Sequence, residues 1–192
     1  MTEARARVQV SRLSAVLAVL ALVLIVVAGF GSGVAPGACA SWGQCSGWSF
    51  LAHSAGPVGA LHLAVSGLIG MATIALLAVS RLIRGDARVN AIAAVAAALI
   101  LVQLGTIFVP ASGAAAVWAA TAHLGATALL LACALALVQP LVPVGDIATL
   151  RSSTAGTWFR PLVVTTTLAL FAVLVSGAYL AASGASGDCT DW

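Results

Sequence analysis

Long apolar stretches alternate with short polar segments along this chain. Five of the stretches are apolar for about the 20 residues that a helix needs to cross the hydrocarbon core of a bilayer. They lie near residues 13–34, 58–80, 89–109, 114–138 and 161–183. The pattern predicts an all-α fold, a polytopic membrane helical bundle with five transmembrane helices embedded in the lipid bilayer.

Composition and charge agree with a membrane location. The chain is 62% hydrophobic and 7% charged, a balance typical of integral membrane proteins. All basic residues are arginines, and they fall where an N-inside topology has cytoplasmic segments. They are Arg5, Arg7, Arg12, Arg81, Arg84, Arg88, Arg151 and Arg160. We therefore expect a multi-pass protein of a prokaryotic plasma membrane, with a cytoplasmic N-terminus and an outer C-terminus. The net charge of +3 reflects this topology and does not indicate a nucleic-acid partner.

A cleaved signal peptide is the competing interpretation of the N-terminal segment. Arginines precede an apolar run, and small residues follow it in "VAPGACA". That run, however, is roughly 20 residues long, whereas the apolar region of a signal peptide has about 7–15. We therefore favour a first helix that is retained.

The chain contains an internal repeat. The first span leads into "GACASW" and the fifth into "GDCTDW", and both pass through Gly, Ala and Ser into Cys-x-x-Trp. Chance similarity between alanine-rich helices is the alternative explanation. We expect one membrane domain over residues 1–192, with a four-helix unit at 1–138 and the start of a second, truncated unit at 161–192. On this interpretation the sequence ends early, within the second copy.

Two histidines are the main candidates for chemistry within the spans. His62 lies about five residues into the second span and His123 about nine residues into the fourth, which puts their depths roughly 6 Å apart. A lone intramembrane histidine is often only an interhelical hydrogen-bond partner. Two at similar depth on non-adjacent spans favour haem, whose iron takes one nitrogen on each face. Zinc is disfavoured because no third ligand lies at comparable depth.

The cysteines fall into two groups. On the predicted topology Cys39, Cys45 and Cys189 face the outside, whereas Cys133 lies within the fourth span. An oxidising outer face permits a Cys39–Cys45 disulfide across a short loop. We expect Cys133 to act as a small apolar residue packed against a neighbouring helix. Gln103, in the third span, is expected to form a hydrogen bond between helices.

Several segments resemble haem A synthase, the membrane enzyme that oxidises a methyl group of haem O to the formyl group of haem A. "CASWGQC" at 39–45 is similar to the family's Cys-Pro-Asp-Trp-Pro-x-Cys, and "HLAVSGLIG" at 62–70 to its His-Arg-Leu-x-Ser-Gly-x-x-Gly. Further similar segments are "VQLGTIFV" at 102–109, "AHLGATALLLACALAL" at 122–137 and "GAYLAASGASGDCTDW" at 177–192. The family is a duplicated four-helix bundle, and the chain resembles its first half plus one further helix.

The resemblance implies roles for several residues. His62 and His123 would be the haem-iron ligands of the N-terminal half, with haem O as substrate or haem b as cofactor. Cys39 and Cys45 would form the outer-loop disulfide, and Cys189 would begin a second pair. The implied activity is that of an oxidoreductase in haem A biosynthesis for cytochrome oxidase. The implied partners are haem O synthase or a second four-helix unit in a homo-oligomer.

Three departures from the family pattern leave open whether the chain is an enzyme. Gly59 stands where the family has a glutamate three residues before the first histidine, and Leu63 stands where it has an arginine. The outer loop has Ala40, Ser41 and Gly43 in place of two prolines and an aspartate. No carboxylate lies in any predicted span, and no catalytic residue is identified.

Other function classes therefore stay in view. A non-catalytic haem-binding or assembly subunit would bind haem without turnover. A membrane thiol-disulfide oxidoreductase is less favoured, because the chain has no Cys-x-x-Cys motif and no basic residue near Cys39 or Cys45. A transporter or a structural subunit is a further alternative, although the lack of charges in the spans argues against ion coupling.

Overall fold

The computed structural model describes residues 2–34, 57–109, 113–138, 164–169, 171–177 and 179, and this part of the chain is helical apart from short turns. Its four long helices are α1 (Glu3–Val34), α2 (Pro57–Ser80), α3 (Ala87–Thr106) and α4 (Gly113–Val138). All four are long and apolar enough to cross a membrane. They correspond to the first four predicted spans. The fifth predicted span is represented by a shorter apolar helix, α5 (Val164–Gly177).

The four long helices form a bundle in which each packs against two of the other three. Helix α1 contacts α2 and α4, and α3 contacts the same two helices. Near the start of α1, the Ser11 hydroxyl donates to the carbonyl of Val138 at the end of α4, at 3.2 Å. Arg7 of α1 pairs with Asp86, in the turn between α2 and α3, at 3.0 Å. Neighbouring helices are therefore antiparallel, and α2 and α4 run in the same direction on opposite corners of the bundle.

The core consists of aliphatic and small side chains. Helix α3 contributes Ala93 and Ala96, both 0% exposed, and such small residues let helices approach closely where lipid gives no hydrophobic drive. The larger fully buried core side chains include Leu17, Ile69, Leu76 and Leu130. Other large apolar side chains face outward, as Ile74 does at 71% exposure. This is the arrangement expected of a bundle whose surroundings are lipid.

Helix α1 begins well before the apolar stretch that predicted it. It starts at Glu3 rather than near residue 13, and Arg7 forms an ion pair with Glu3 one turn earlier, at 3.0 Å. Asp86 accepts a hydrogen bond from the N–H of Val89 at 3.2 Å and so caps the start of α3. The Val89 N–H and the Arg7 guanidinium together lower the pKa of Asp86. A polar network thus ties α1 to the turn between α2 and α3.

The turn between α2 and α3 has a conformation that its residues favour. Gly85 adopts a φ of 83°, which costs glycine little because it has no Cβ. The side-chain amide of Asn90 donates to the carbonyl of Asp86 at 3.2 Å and to that of Ile83 at 3.4 Å. These contacts close the connection and set α3 antiparallel to α2.

Helix α5 lies against α4. A Cβ atom added to Gly125 would be 3.7 Å from Cγ2 of Val175 and 3.9 Å from Cζ of Phe171. The rings of Trp118 and Tyr179 have centroids 5.1 Å apart. Helix α5 therefore lies over Gly125 at a distance that leaves ordinary van der Waals room for a Cβ atom.

Candidate functional site

The structure brings together the two histidines selected from the sequence. His62 lies in the second turn of α2 and His123 in the first half of α4. Because these helices run in the same direction, residues near their starts lie at the same end of the bundle. The centroids of the two rings are 6.4 Å apart, with 29° between their planes. Both residues are half-buried.

A third helix holds the ring of His123. Thr106, the last residue of α3, places its Oγ1 at 3.1 Å from Nδ1 of His123. The same hydroxyl lies 2.6 Å from the backbone carbonyl of Gln103. On α4 itself, the Thr127 hydroxyl donates to the carbonyl of His123 at 2.9 Å. The position of His123 is therefore set by α3 as well as by its own helix.

The spacing of the two rings fits a single metal ion between them. A metal–imidazole bond is about 2 Å long and the bound nitrogen lies about 1.1 Å from its ring centroid, so two imidazoles on opposite sides of one ion would have centroids about 6.2 Å apart. The observed separation is 6.4 Å. The separation of the ring centroids is thus compatible with one ligating nitrogen from each of His62 and His123.

The histidine pair offers two candidate metal ligands. Within the described ranges, no group of three or more His, Cys, Asp or Glu side chains could hold a metal ion. A structural zinc site takes four ligands and a catalytic one takes three from the protein. A haem iron takes at most two ligands from the protein, and His62 and His123 would be two such ligands.

The surroundings of the histidine pair are uncharged in the part of the chain that the structure describes. The acidic residues of that part, Glu3 and Asp86, lie at the opposite end of the bundle, where Arg7 pairs with both. The pair therefore lies among apolar helices, where polar interactions are stronger than in water. Large aromatic side chains lie toward the histidine end, with Phe108 and Trp118 exposed at 72% and 62%. Such residues are typical of a membrane interface.

Other residues selected from the sequence are only partly placed. Cys39 and Cys45, the predicted disulfide pair, lie outside the described residues, as does Cys189. Cys133 of α4 has a free thiol, is half-buried and packs against the core, as expected of a small apolar residue. The side-chain Nε2 of Gln103 is buried and has no hydrogen-bond partner among the described residues. The structure gives Gln103 a different contact, through its backbone carbonyl.

Two of the three departures from the haem A synthase pattern fall on the helix that carries His62, and the third, in the outer loop, lies outside the described residues. Gly59 lies in α2 three residues before His62, which is nearly one helical turn. Leu63 is 38% exposed and has no charge that could pair with a haem propionate. At these two positions α2 carries an uncharged residue rather than the acid and the base of the family motif.

Thr106 has no assigned role in the sequence interpretation, although it lies within the quoted segment "VQLGTIFV". Its hydroxyl lies at the end of α3 that is level with the histidines. In the sequence, the feature that could have pointed to Thr106 is its position as a polar residue at that end of the third span. It is a weak signal, because threonine hydroxyls in helices usually bond to their own backbone.

Comparisons with known proteins leave the family of this chain open, so its function has to be inferred from the two histidines and their surroundings. No family model, no curated protein and no solved structure matches the chain.

Proposed function

We propose that the bundle binds a haem between His62 and His123, and that the chain is a haem A synthase-like membrane protein. The observation that carries this proposal is the 6.4 Å separation of two imidazoles on diagonally opposite helices. The motif resemblance around 39–45 and 62–70 supports it independently of that distance. Both lines point to the same pair of residues.

The chain's own residues would bind and orient the haem. His62 and His123 would each supply a nitrogen, one from α2 and one from α4. The surrounding apolar helices would exclude water from the iron ligands. When bound, the haem iron supplies the oxidation chemistry, and the protein supplies ligands and a dry environment.

The activity implied by the resemblance is the oxidation of the haem O methyl group to the formyl group of haem A. In this function haem O is the substrate, and the product serves cytochrome oxidase. The proposed partners are haem O synthase, which would deliver the substrate, and a second four-helix unit, which would carry a haem b.

A second candidate function is non-catalytic haem binding in an assembly subunit. Two observations favour it, and the first is that the acidic residues of the described part of the chain lie at the end of the bundle away from the histidines. Gly59 also stands where the family has its glutamate. Such a subunit would hold haem with His62 and His123 and would not convert it.

Haem binding is tested by the visible absorption spectrum of the detergent-purified chain, oxidised and dithionite-reduced. We expect a low-spin spectrum typical of two imidazole ligands. His62→Ala and His123→Ala should each lose that spectrum, whereas His53→Ala, which changes the remaining histidine, should keep it. A colourless protein after haem supplementation, or an unchanged spectrum in both variants, would overturn the proposal.

Turnover separates the two candidate functions. The purified chain is incubated with haem O and a chemical electron donor under air, and the haems are extracted and separated by chromatography. Haem A in the extract supports the enzyme. Unchanged haem O, together with an intact low-spin spectrum, supports the non-catalytic subunit.

We also propose an orientation in a prokaryotic plasma membrane, with the N-terminus in the cytoplasm and the C-terminus outside. The support is the position of the described arginines, which lie toward one end of the bundle and satisfy the positive-inside rule. They are Arg5, Arg7, Arg12, Arg81, Arg84 and Arg88. With the native cysteines replaced, Arg84→Cys should react with an impermeant maleimide only after the cells are opened, and Phe108→Cys should react in intact cells. The reverse pattern would invert the topology.

A further inference from the structure

The hydroxyl of Thr106 lies 3.1 Å from Nδ1 of His123, one of the two ring nitrogens that could bind a metal. We infer that Thr106 is a positioning residue, which holds His123 as the Nδ1–H tautomer and leaves Nε2 as its ligating nitrogen. The metal-binding half of this inference depends on the proposed haem site. The tautomer half does not, because it follows from hydrogen bonds within the chain.

The direction of each hydrogen bond follows from the donors and acceptors present. A threonine hydroxyl has one hydrogen, and a backbone carbonyl can only accept. The 2.6 Å contact between the Thr106 hydroxyl and the Gln103 carbonyl therefore uses that hydrogen. At the 3.1 Å contact with His123 Nδ1, the hydroxyl oxygen has to accept, so Nδ1 carries the hydrogen. A neutral imidazole has one N–H, which leaves the lone pair on Nε2.

The end of α3 fixes the hydroxyl in this position. After Thr106 the helix tightens, since the N–H of Ile107 bonds to the Leu104 carbonyl and that of Phe108 to the Gly105 carbonyl, both at 3.2 Å. Such bonds span three residues rather than four and are common at helix ends. The Gln103 carbonyl accepts from the Thr106 side chain instead, which holds the Thr106 rotamer. The hydroxyl oxygen is thereby aimed at His123.

This arrangement has the form of an outer-shell contact to a metal ligand. A ligating histidine usually donates its other ring N–H to an oxygen, which fixes the tautomer and ring orientation and raises the basicity of the bound nitrogen. His123 donates a hydrogen bond to the Thr106 hydroxyl, and that hydroxyl donates to the Gln103 carbonyl. Loss of the Thr106 oxygen should therefore weaken binding at Nε2 and reduce electron donation to the metal.

The tautomer is tested on the full chain without haem. Nitrogen-15 NMR of histidine-labelled protein distinguishes Nδ1–H from Nε2–H, and the signal of His123 is identified by its loss in His123→Ala. We expect Nδ1–H in the wild type, a shift toward Nε2–H in Thr106→Val, and recovery in Thr106→Ser. An Nε2–H signal in the wild type, or no change in Thr106→Val, would overturn the inference.

The ligand role is tested on the haem-loaded chain. Removing an outer-shell partner typically costs about 10–100-fold in metal affinity, so Thr106→Val should bind haem more weakly by that factor. Its reduction potential should rise, because a less basic ligand favours ferrous iron, and Thr106→Ser should restore both values. Thr127→Val is the matched control, since that hydroxyl bonds to the His123 backbone and not to its ring.

The outcomes separate this inference from the proposed function. A wild-type chain with the Nδ1–H tautomer but without haem binding rejects the haem proposal and keeps the assignment of the tautomer. A wild-type chain that binds haem, with Thr106→Val equal to it in tautomer, affinity and potential, rejects the role of Thr106. If Thr106→Val loses haem together with its helical circular dichroism, it has unfolded. The role of Thr106 is then decided by the tautomer of the wild type and by the behaviour of Thr106→Ser.

Discussion

Leu17 offers a direct test of whether α1 is a permanent part of the bundle. Its side chain is 0% exposed and packs in the core, whereas Leu22, on the same helix, is 55% exposed. Leu17→Ala removes a core contact, and Leu22→Ala removes the same atoms from a surface that lipid covers. The difference in stability between the two variants therefore reports the loss of helix packing, because the change in residue type is the same in both.

The expected magnitude differs from that in a water-soluble protein. In a membrane, a separated helix exposes its leucines to lipid that is as apolar as the core, so the transfer contribution largely cancels. The cavity contribution is left. At about 24 cal/mol per Å3 over the roughly 80 Å3 that separate leucine from alanine, it amounts to about 2 kcal/mol. This corresponds to about a 30-fold change in the unfolding equilibrium.

The assay is equilibrium unfolding in mixed micelles with a rising fraction of SDS, followed by tryptophan fluorescence. Leu17→Ala should be destabilised by about 2 kcal/mol, and Leu22→Ala should match the wild type. If α1 were removed as a signal peptide, neither substitution would change the stability of the mature chain. Equal destabilisation by both substitutions would refute the difference in burial on which the estimate is based.

Two further predictions concern the arginine end and α5. The depressed pKa of Asp86 stabilises the fold at pH values above the ordinary carboxyl pKa of 3.8, and this contribution is lost as the pH falls through the lowered value. Asp86→Asn keeps a capping side chain but loses the charge that pairs with Arg7. Between pH 6 and about pH 2, the free energy of unfolding of this variant should therefore fall less steeply with decreasing pH than that of the wild type. The same pH dependence in both proteins would contradict this. With the native cysteines replaced, Gly125→Cys and Val175→Cys should form a disulfide in the membrane on mild oxidation, because a Cβ at Gly125 lies 3.7 Å from Cγ2 of Val175, the kind of position that a cysteine sulfur would take. The control pair Gly125→Cys with Val173→Cys should not form a disulfide, because Val173 is 68% exposed. Equal cross-linking of both pairs would show that a different face of α5 contacts α4.

Hydropathy located the spans well but not the full helices. The second predicted span, 58–80, nearly equals α2 (Pro57–Ser80), and Pro57 is a favourable first residue for a helix. The first prediction, near 13–34, misses the turns of α1 that begin at Glu3. Those turns carry charges and are stabilised by the ion pairs of Arg7, which an apolar window does not detect.

The way in which the helices pack against one another around the site cannot be predicted from the sequence pattern. Rise per residue predicted a similar depth for His62 and His123, and the structure places their rings 6.4 Å apart. The contact of Thr106 with His123 depends on how α3 is rotated and shifted against α4. Hydrophobic periodicity reveals neither the distance between the two rings nor the rotation of α3 against α4, because these helices are apolar on nearly every face.

The hydrogen-bonded series that starts at His123 also limits proton movement. It passes through the Thr106 hydroxyl and ends at the Gln103 carbonyl, a group that does not ionise at any physiological pH. It is therefore a dead end for a proton wire, unlike a series that ends in a carboxylate. A proton released at His123 therefore has no route along these three groups toward the arginine end of the bundle.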